Sequence, residues 1–339
     1  MNRTALCAFL ALSFSLPLQA ADVVNVYSAR NEQLIKPALE RFSEATGIEV
    51  NLITGKAGTL IKRIESEGRN TPADVLLTVD AGRLHTAKRA GIFDRVDSEV
   101  LNARIPAHFR DVDNQWFGLS ARSRVVLYSR DRVKASELST YEDLATDKWQ
   151  GRICIRSSGN IYNQSLLASM IANNGVEKAE AWARGIVANM ARKPEGNDRS
   201  QIKAVAAGVC DIAIANTYYM GKMQTSTKDD GQKEAAARVA VFFPNQGDRG
   251  AHMNVSGAGV VKGAKNRANA IRLLEFLASD ELQSWYAQVN HEYPTVANVP
   301  VSDIVAAWGY PFKNDALNIS ELGVHNAEAV RDFDRAGWR

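Results

Sequence analysis

From Ala21 onward, apolar and polar positions alternate between strand and helix periods. Val23 to Tyr27 reads as an apolar strand, and Leu34, Ile35, Ala38, Leu39 and Phe42 recur at helical spacing. Gly47 stops that helix, and Ile48 to Ile53 returns to strand. Thr59 to Glu67 predicts a second helix. Ala73 to Val79 predicts a strand so uniformly apolar that both its faces must be buried, and Ala81 to Ala90 a helix ended by Gly91. After Trp116-Phe117-Gly118-Leu119 a second α/β set begins at Val125 to Tyr128. It continues as strand Arg152 to Arg156, helix Tyr162 to Ile171, helix Glu177 to Met190 and strand Asp211 to Ala215. Val239 to Phe243 and the turn-rich Pro244 to Gly250 then predict a return crossing, because Met253 to Val261 and the helix Arg267 to Ala278 resume the style of the first set.

The first residues differ. Met1 to Ala20 carries a basic start (Arg3), an apolar run (Ala5 to Leu16) and small residues at the expected cut near Ala20, the pattern of a cleaved secretory signal. No other stretch approaches the roughly 20 apolar residues a spanning helix needs, so a protein not embedded in the membrane is expected. Cys7 lies inside the signal, leaving Cys154 and Cys210, each eight residues before a tyrosine (Tyr162 and Tyr218). In an oxidising compartment a bridge between them is the default expectation, worth roughly 4 kcal/mol by loop closure.

With 45% hydrophobic and 23% charged residues, the composition fits a globular protein of two domains. The 41 basic and 38 acidic residues leave a formal charge of +3 with no long run of one sign, so no nucleic-acid partner is indicated. The glycines at 257, 259 and 263 are out of step for a dinucleotide loop and read as strand. The five histidines are scattered, with no nucleophile elbow, phosphate loop or zinc motif, and the chain is not expected to be an enzyme.

The candidate chemistry is phenolic. Tyr218 and Tyr219 follow the apolar run Ile212 to Ala215 and open a helical stretch, with Asn216 and Thr217 suited to cap it. Neighbouring side chains on a strand point to opposite faces, so two phenols can serve one site only where the chain turns out of the strand. Unpaired N–H groups at a helix start favour negative charge, hence phenolate over phenol. Tyr162 repeats the arrangement after Ser157-Ser158-Gly159-Asn160. Three phenolates suit one hard, highly charged cation. Tyr27, at the end of a strand, reads as packing or cleft wall.

These segments, with Val24 to Arg30, Pro72 to Val75, Trp116 to Arg124, Asn216 to Tyr219, Phe243 to Gln246 and Asn290 to Pro294, resemble the periplasmic ferric-ion-binding proteins of bacterial ABC importers over essentially the whole mature chain. The resemblance implies an α/β, two-lobe periplasmic-binding-protein fold (type II) with two crossing strands and the ligand in the interlobe cleft. It implies residues 21–124 plus about 247–299 as the N-terminal lobe and 125–246 plus about 300–339 as the C-terminal lobe. It further implies Fe(III) held by Tyr162, Tyr218 and Tyr219, a synergistic anion, carbonate, held by Arg122, and a monomer delivering ferric ion to an inner-membrane ABC permease. Many relatives carry His-Tyr after the Tyr-Ser-Ala-Arg stretch, where this chain has Asn31-Glu32, which rules out a four-tyrosine site. Two completions stay open: three tyrosines with anion or water, the favoured one, or Glu32 reaching in on closure. The competing function is a binding protein for a small organic or oxyanion solute gripped by Arg122.

Overall fold

The computed structural model describes residues 22–227 and 229–339, so the expected signal segment Met1 to Ala20 lies outside the described residues. Strands β1 (Val23–Ser28), β2 (Glu49–Thr54) and β3 (Val75–Val79) are parallel neighbours, separated by helices Glu32–Thr46 and Ala57–Glu67. Asn31 starts the first helix by accepting from the Gln33 N–H at 3.0 Å, and Gly47 ends it at φ 74°, a left-handed conformation that costs glycine nothing.

A 13-residue strand, β4 (Phe117–Ser129), then joins two sections of one eight-stranded sheet. Its first half, Phe117 to Ser123, pairs antiparallel with β8 (Met253–Val260), which also pairs with β3. Its second half, Arg124 to Ser129, pairs with β6 (Ile212–Asn216) and β7 (Val239–Phe242), while β5 (Ile153–Cys154) is a short parallel edge on β6. The return from β7 to β8 runs through Phe243 to His252, where Asn245 N bonds Ser139 O at 3.0 Å and Ala251 N bonds Lys313 O at 2.9 Å. The predicted return crossing is therefore present. Gly257 of β8 is a true glycine position, since a Cβ there would lie 2.4 Å from Phe117 O. That close strand approach, and not a nucleotide loop, accounts for the glycines.

The central strands of the second section are buried on both faces, and period-two alternation divides them. Val126, Ile212 and Ile214 face one core with Trp149, Leu166, Trp182 and Phe333, whereas Val125, Leu127, Ala213 and Ala215 face the larger core that continues into the first section. The C-terminal helix Asn326–Ala336 packs on helices Ile161–Asn174 and Val176–Asn189, with Arg335 bonded to Glu180 at 2.6 Å. Cys154 and Cys210 are bonded to each other. The expected strand Arg152 to Arg156 is reduced to Ile153–Cys154, and beyond it the Arg156 side chain bonds Asp198 at 2.6 Å. Helices Glu99–Arg104, Asp198–Ala206, Asp230–Ala237 and Asp280–Asn290 are among those the apolar pattern does not mark. Among the described residues no helix is long and apolar enough to cross a membrane.

Candidate metal and anion site

Both tyrosine turns form as the sequence indicates. Helix Thr217–Gln224 begins directly after β6, and helix Ile161–Asn174 begins after Asn160, whose side chain accepts from Asn163 N at 3.3 Å. The two turns meet: Tyr218 Oη donates to Tyr162 Oη at 3.3 Å, and the rings of Tyr218 and Tyr219 lie 4.3 Å apart. Asn216 holds the N-cap position of the tyrosine helix but does not cap it with its side chain; its Oδ1 accepts instead from Arg124 Nη1 at 3.2 Å. A charge-assisted bond outcompetes the neutral capping bond expected from sequence.

The expectation that these turns favour phenolate is corrected by their burial. Burial, then repulsion from Tyr162 and Tyr219, holds the Tyr218 phenol well above its ordinary value, although Arg122 pulls the other way. Tyr219 is pushed up to about 12 by burial, Tyr162 and Asp198. Helix-start polarity does not offset desolvation, so these two phenols are neutral near pH 7 and must give up protons to bind a cation.

Cations crowd the phenols. Lys222 Nζ lies 5.5 Å from the centre of the Tyr218 ring and the Arg199 guanidinium 5.5 Å from that of Tyr219. Burial and neighbouring arginines push Lys222 down to about 8, against the pull of Glu292. From the first section comes a buried cluster: Arg30 Nη2 pairs with Glu292 Oε2 at 2.5 Å, Arg30 Nη1 donates to Ser256 Oγ at 2.7 Å, and Arg122 Nη2 donates to the same Ser256 Oγ. Burial opposes ionisation of Glu292, yet Arg30 and Arg122 hold its carboxyl below the ordinary range. Arg122 is only 1% exposed, and its Nε and Nη1 have no hydrogen-bond partner among the described residues. Arg122 thus keeps N–H donors on Nε and Nη1 without partners in a buried position, where a carboxylate or carbonate oxygen could accept from them.

Glu32 sits elsewhere. It is exposed in the first turn of its helix and lines a surface groove with Lys36, Leu39, Val50 and Leu52, and no hydrogen bond or ion pair joins it to the tyrosines among the described residues. Tyr27 packs away from the site, its hydroxyl 3.3 Å from Glu67 Oε1 under the Arg63 guanidinium. Sequence reasoning gave no role to Arg30, Glu292, Ser256 or Lys222. Arg30 and Glu292 stand within segments that resemble the ferric-ion binders, but their pairing across the chain leaves no local pattern.

Residues 70–314 match the family model of the bacterial extracellular solute-binding proteins. The chain belongs to that family. It is 50% identical over 316 residues to iron uptake protein A1 of Synechocystis sp., covering 93% of this chain and 87% of that one. A structure of a Trichodesmium protein, IdiA or FutA, in complex with iron and citrate ligands is 51% identical, with a TM-score of 0.91, covering 94% of this chain and all of that one. The major ferric iron-binding protein of Neisseria meningitidis is 28% identical over 292 residues, 85% of each chain. The likeness establishes the two-lobe fold read from the sequence, with β4 as a crossing strand between the lobes.

Proposed function

We propose that the protein is a periplasmic carrier of ferric ion that hands its cargo to an inner-membrane ABC permease, acting as a monomer and without catalysis. The carrying observation is the meeting of Tyr162 and Tyr218 hydroxyls at 3.3 Å, with Tyr219 alongside and a buried arginine, Arg122, that keeps unpartnered N–H donors for an anion. Fe(III) is hard, and three phenolate oxygens match it better than thiols or imidazoles would. Tyr162, Tyr218 and Tyr219 are the proposed ligands. Arg122 is the proposed holder of a synergistic carboxylate-type anion, either carbonate or the citrate found with the Trichodesmium protein. Glu32, exposed and distant from any phenol contact, supports the completion by anion or water. The lobes proposed are 21–124 plus about 247–299, and 125–246 plus about 300–339, the division falling within β4 between Arg124 and Val125.

Ferric phenolates absorb visible light, whereas a complex with an organic or oxyanion solute is colourless. Protein loaded with ferric citrate and desalted should be coloured. Tyr218→Phe and Tyr219→Phe should each bleach the band or release iron much faster, and Tyr27→Phe should do neither. A colourless loaded protein, or bleaching by Tyr27→Phe alone, would overturn the assignment.

A further inference from the structure

One guanidinium outside the proposed ligand set touches both tyrosine turns. Arg124 follows Arg122 by two residues on β4, is 1% exposed, and lies opposite Asn216 in the β4–β6 register. Its five N–H donors have five acceptor contacts. Nε and Nη2 both reach Asn163 Oδ1, at 3.1 and 2.6 Å, and Asn163 immediately follows Tyr162. Nη1 reaches Asn216 Oδ1 at 3.2 Å, two residues before Tyr218, and Nη2 also reaches Ile214 O at 3.1 Å. The remaining contact, Nη1 to Asp198 Oδ1 at 2.9 Å, is balanced by Arg156 on the other carboxylate oxygen at 2.6 Å. Asn163 in turn donates to Arg156 O at 2.9 Å and Ser157 O at 3.1 Å, which fixes the loop leading into the Tyr162 helix.

We propose that Arg124 is a positioning residue that sets the separation between Tyr162 and the Tyr218–Tyr219 pair by gripping both turns at once. The proposal rests on the reading that these phenols hold the metal. Stability alone is a poor reason for the arrangement, because a buried ion pair seldom outperforms apolar packing of the same volume. Geometry is a better one. Arginine's rigid planar fork holds two asparagine oxygens on separate elements at fixed spacing, which a lysine's single flexible ammonium cannot do. The two turns come from chain segments 56 residues apart, and behind them the segments are joined by the two-residue β5–β6 pairing and the disulfide, which leaves the phenol contact as their other meeting near the site. A site that coordinates one ion needs its oxygens placed to within about 0.5 Å.

The test compares Arg124→Lys with the wild-type chain in two measurements. Crystals of the iron-free variant should show the Tyr162–Tyr218 hydroxyl separation lengthened from 3.3 Å. The iron-loaded variant should show a shifted or broadened visible band and release iron to a chelator at least about tenfold faster, equivalent to about 1.4 kcal/mol. Gln283→Ala, which cuts buried bonds to Leu119 O and Leu277 O in the other section, should lower stability without moving the band. If Arg124→Lys fails to fold, Asn163→Ala and Asn216→Ala each cut one arm of the grip, and each should widen the separation. An unchanged hydroxyl separation in folded Arg124→Lys, or in both asparagine variants, overturns the proposal. A colourless wild-type protein overturns the metal reading, and the iron-free separation still decides the positioning.

Discussion

Ser165 Oγ donates to Asp80 Oδ1 at 2.8 Å, joining the turn after β3 to the helix that carries Tyr162. Both side chains are fully buried, and Asp80 holds φ 81°, where L residues rarely sit. Its carboxylate also accepts from Gly82 N at 2.8 Å and Asn254 Nδ2 at 2.9 Å, so donors from three elements hold this turn. Such backbone conformations persist where the surroundings over-determine them.

Removing the hydroxyl should therefore cost more than a surface bond. Ser165→Ala leaves a buried carboxylate oxygen short of one donor and should destabilise the fold by about 1–3 kcal/mol. Urea denaturation measures it, and a loss under about 0.5 kcal/mol would mean that the contact contributes little beyond its surroundings.

Gly221 should reverse the usual rule for helical glycines. Glycine to alanine inside a helix normally stabilises by roughly 0.5–1 kcal/mol. Here a Cβ would sit 2.6 Å from His291 Cγ, because the segment before Glu292 packs against the tyrosine helix. Overpacking of that kind costs about 1–3 kcal/mol. Gly221→Ala should lower the melting temperature, and the same change in a His291→Gly background should raise it relative to His291→Gly alone.

His252 should steepen the acid limb of stability. Burial, then Arg124 and Arg249, pushes its ring down to about 3 from an ordinary value of 6.5. The unfolded chain therefore takes up this proton first. The group's contribution is intact above the unfolded value and is lost as pH falls through the window between 6.5 and about 3. His252→Leu should gain on the wild-type chain by about 1.4 kcal/mol per pH unit in that window. Parallel stability curves for the two proteins across it would count against the assignment.

Much of the architecture is legible in the chain because strands buried on both faces, such as Val75–Val79 and Ile212–Asn216, leave unbroken apolar runs, and glycines such as Gly47 mark where helices stop. The phenols are legible because each stands at a strand-to-helix turn. Helix Asp198–Ala206 is not, since its inward face includes Asp198 and Gln201, polar residues buried through partners distant in sequence. Arg124 illustrates the same limit. Its neighbours Asn163, Asp198 and Asn216 are 39, 74 and 92 positions away, and no local period records such a meeting. Glu292 was invisible for the same reason, because only its burial beside Arg30 and Arg122 distinguishes it from a surface acid.

Iron uptake should release protons. Tyr218 and Tyr219 are both held above the ordinary phenol value, so each enters as a neutral phenol and leaves its proton behind on ligation. Apparent affinity for ferric ion, measured by competition with a chelator of known pH dependence, should rise with pH across about 6–8, with at least about two protons released per ion. Release of fewer than one proton would exclude two phenolate ligands.

The completion of the coordination can be decided by comparing Glu32→Ala with Arg122→Ala. Glu32 is exposed, at the start of a helix whose N-terminal polarity already favours a carboxylate there, and its groove neighbours are Lys36, Leu39, Val50 and Leu52. Arg122 is buried with two unpaired donors beside Glu292 and Ser256. If three phenolates and an anion hold the ion, Glu32→Ala should leave the visible band in place and change release to a chelator by no more than about fivefold, the effect of a surface charge worth up to about 1 kcal/mol. Arg122→Ala removes the anion's guanidinium partner and should shift the band and speed release far more. Added carbonate or citrate should partly restore the Arg122 variant by mass action and leave the Glu32 variant unaffected. A direct Glu32 ligand reaching in on lobe closure would invert the order, since loss of an anionic oxygen opens a coordination position whatever the anion concentration. A larger loss from Glu32 than from Arg122 would thus replace the anion by the carboxylate as the group that completes the site.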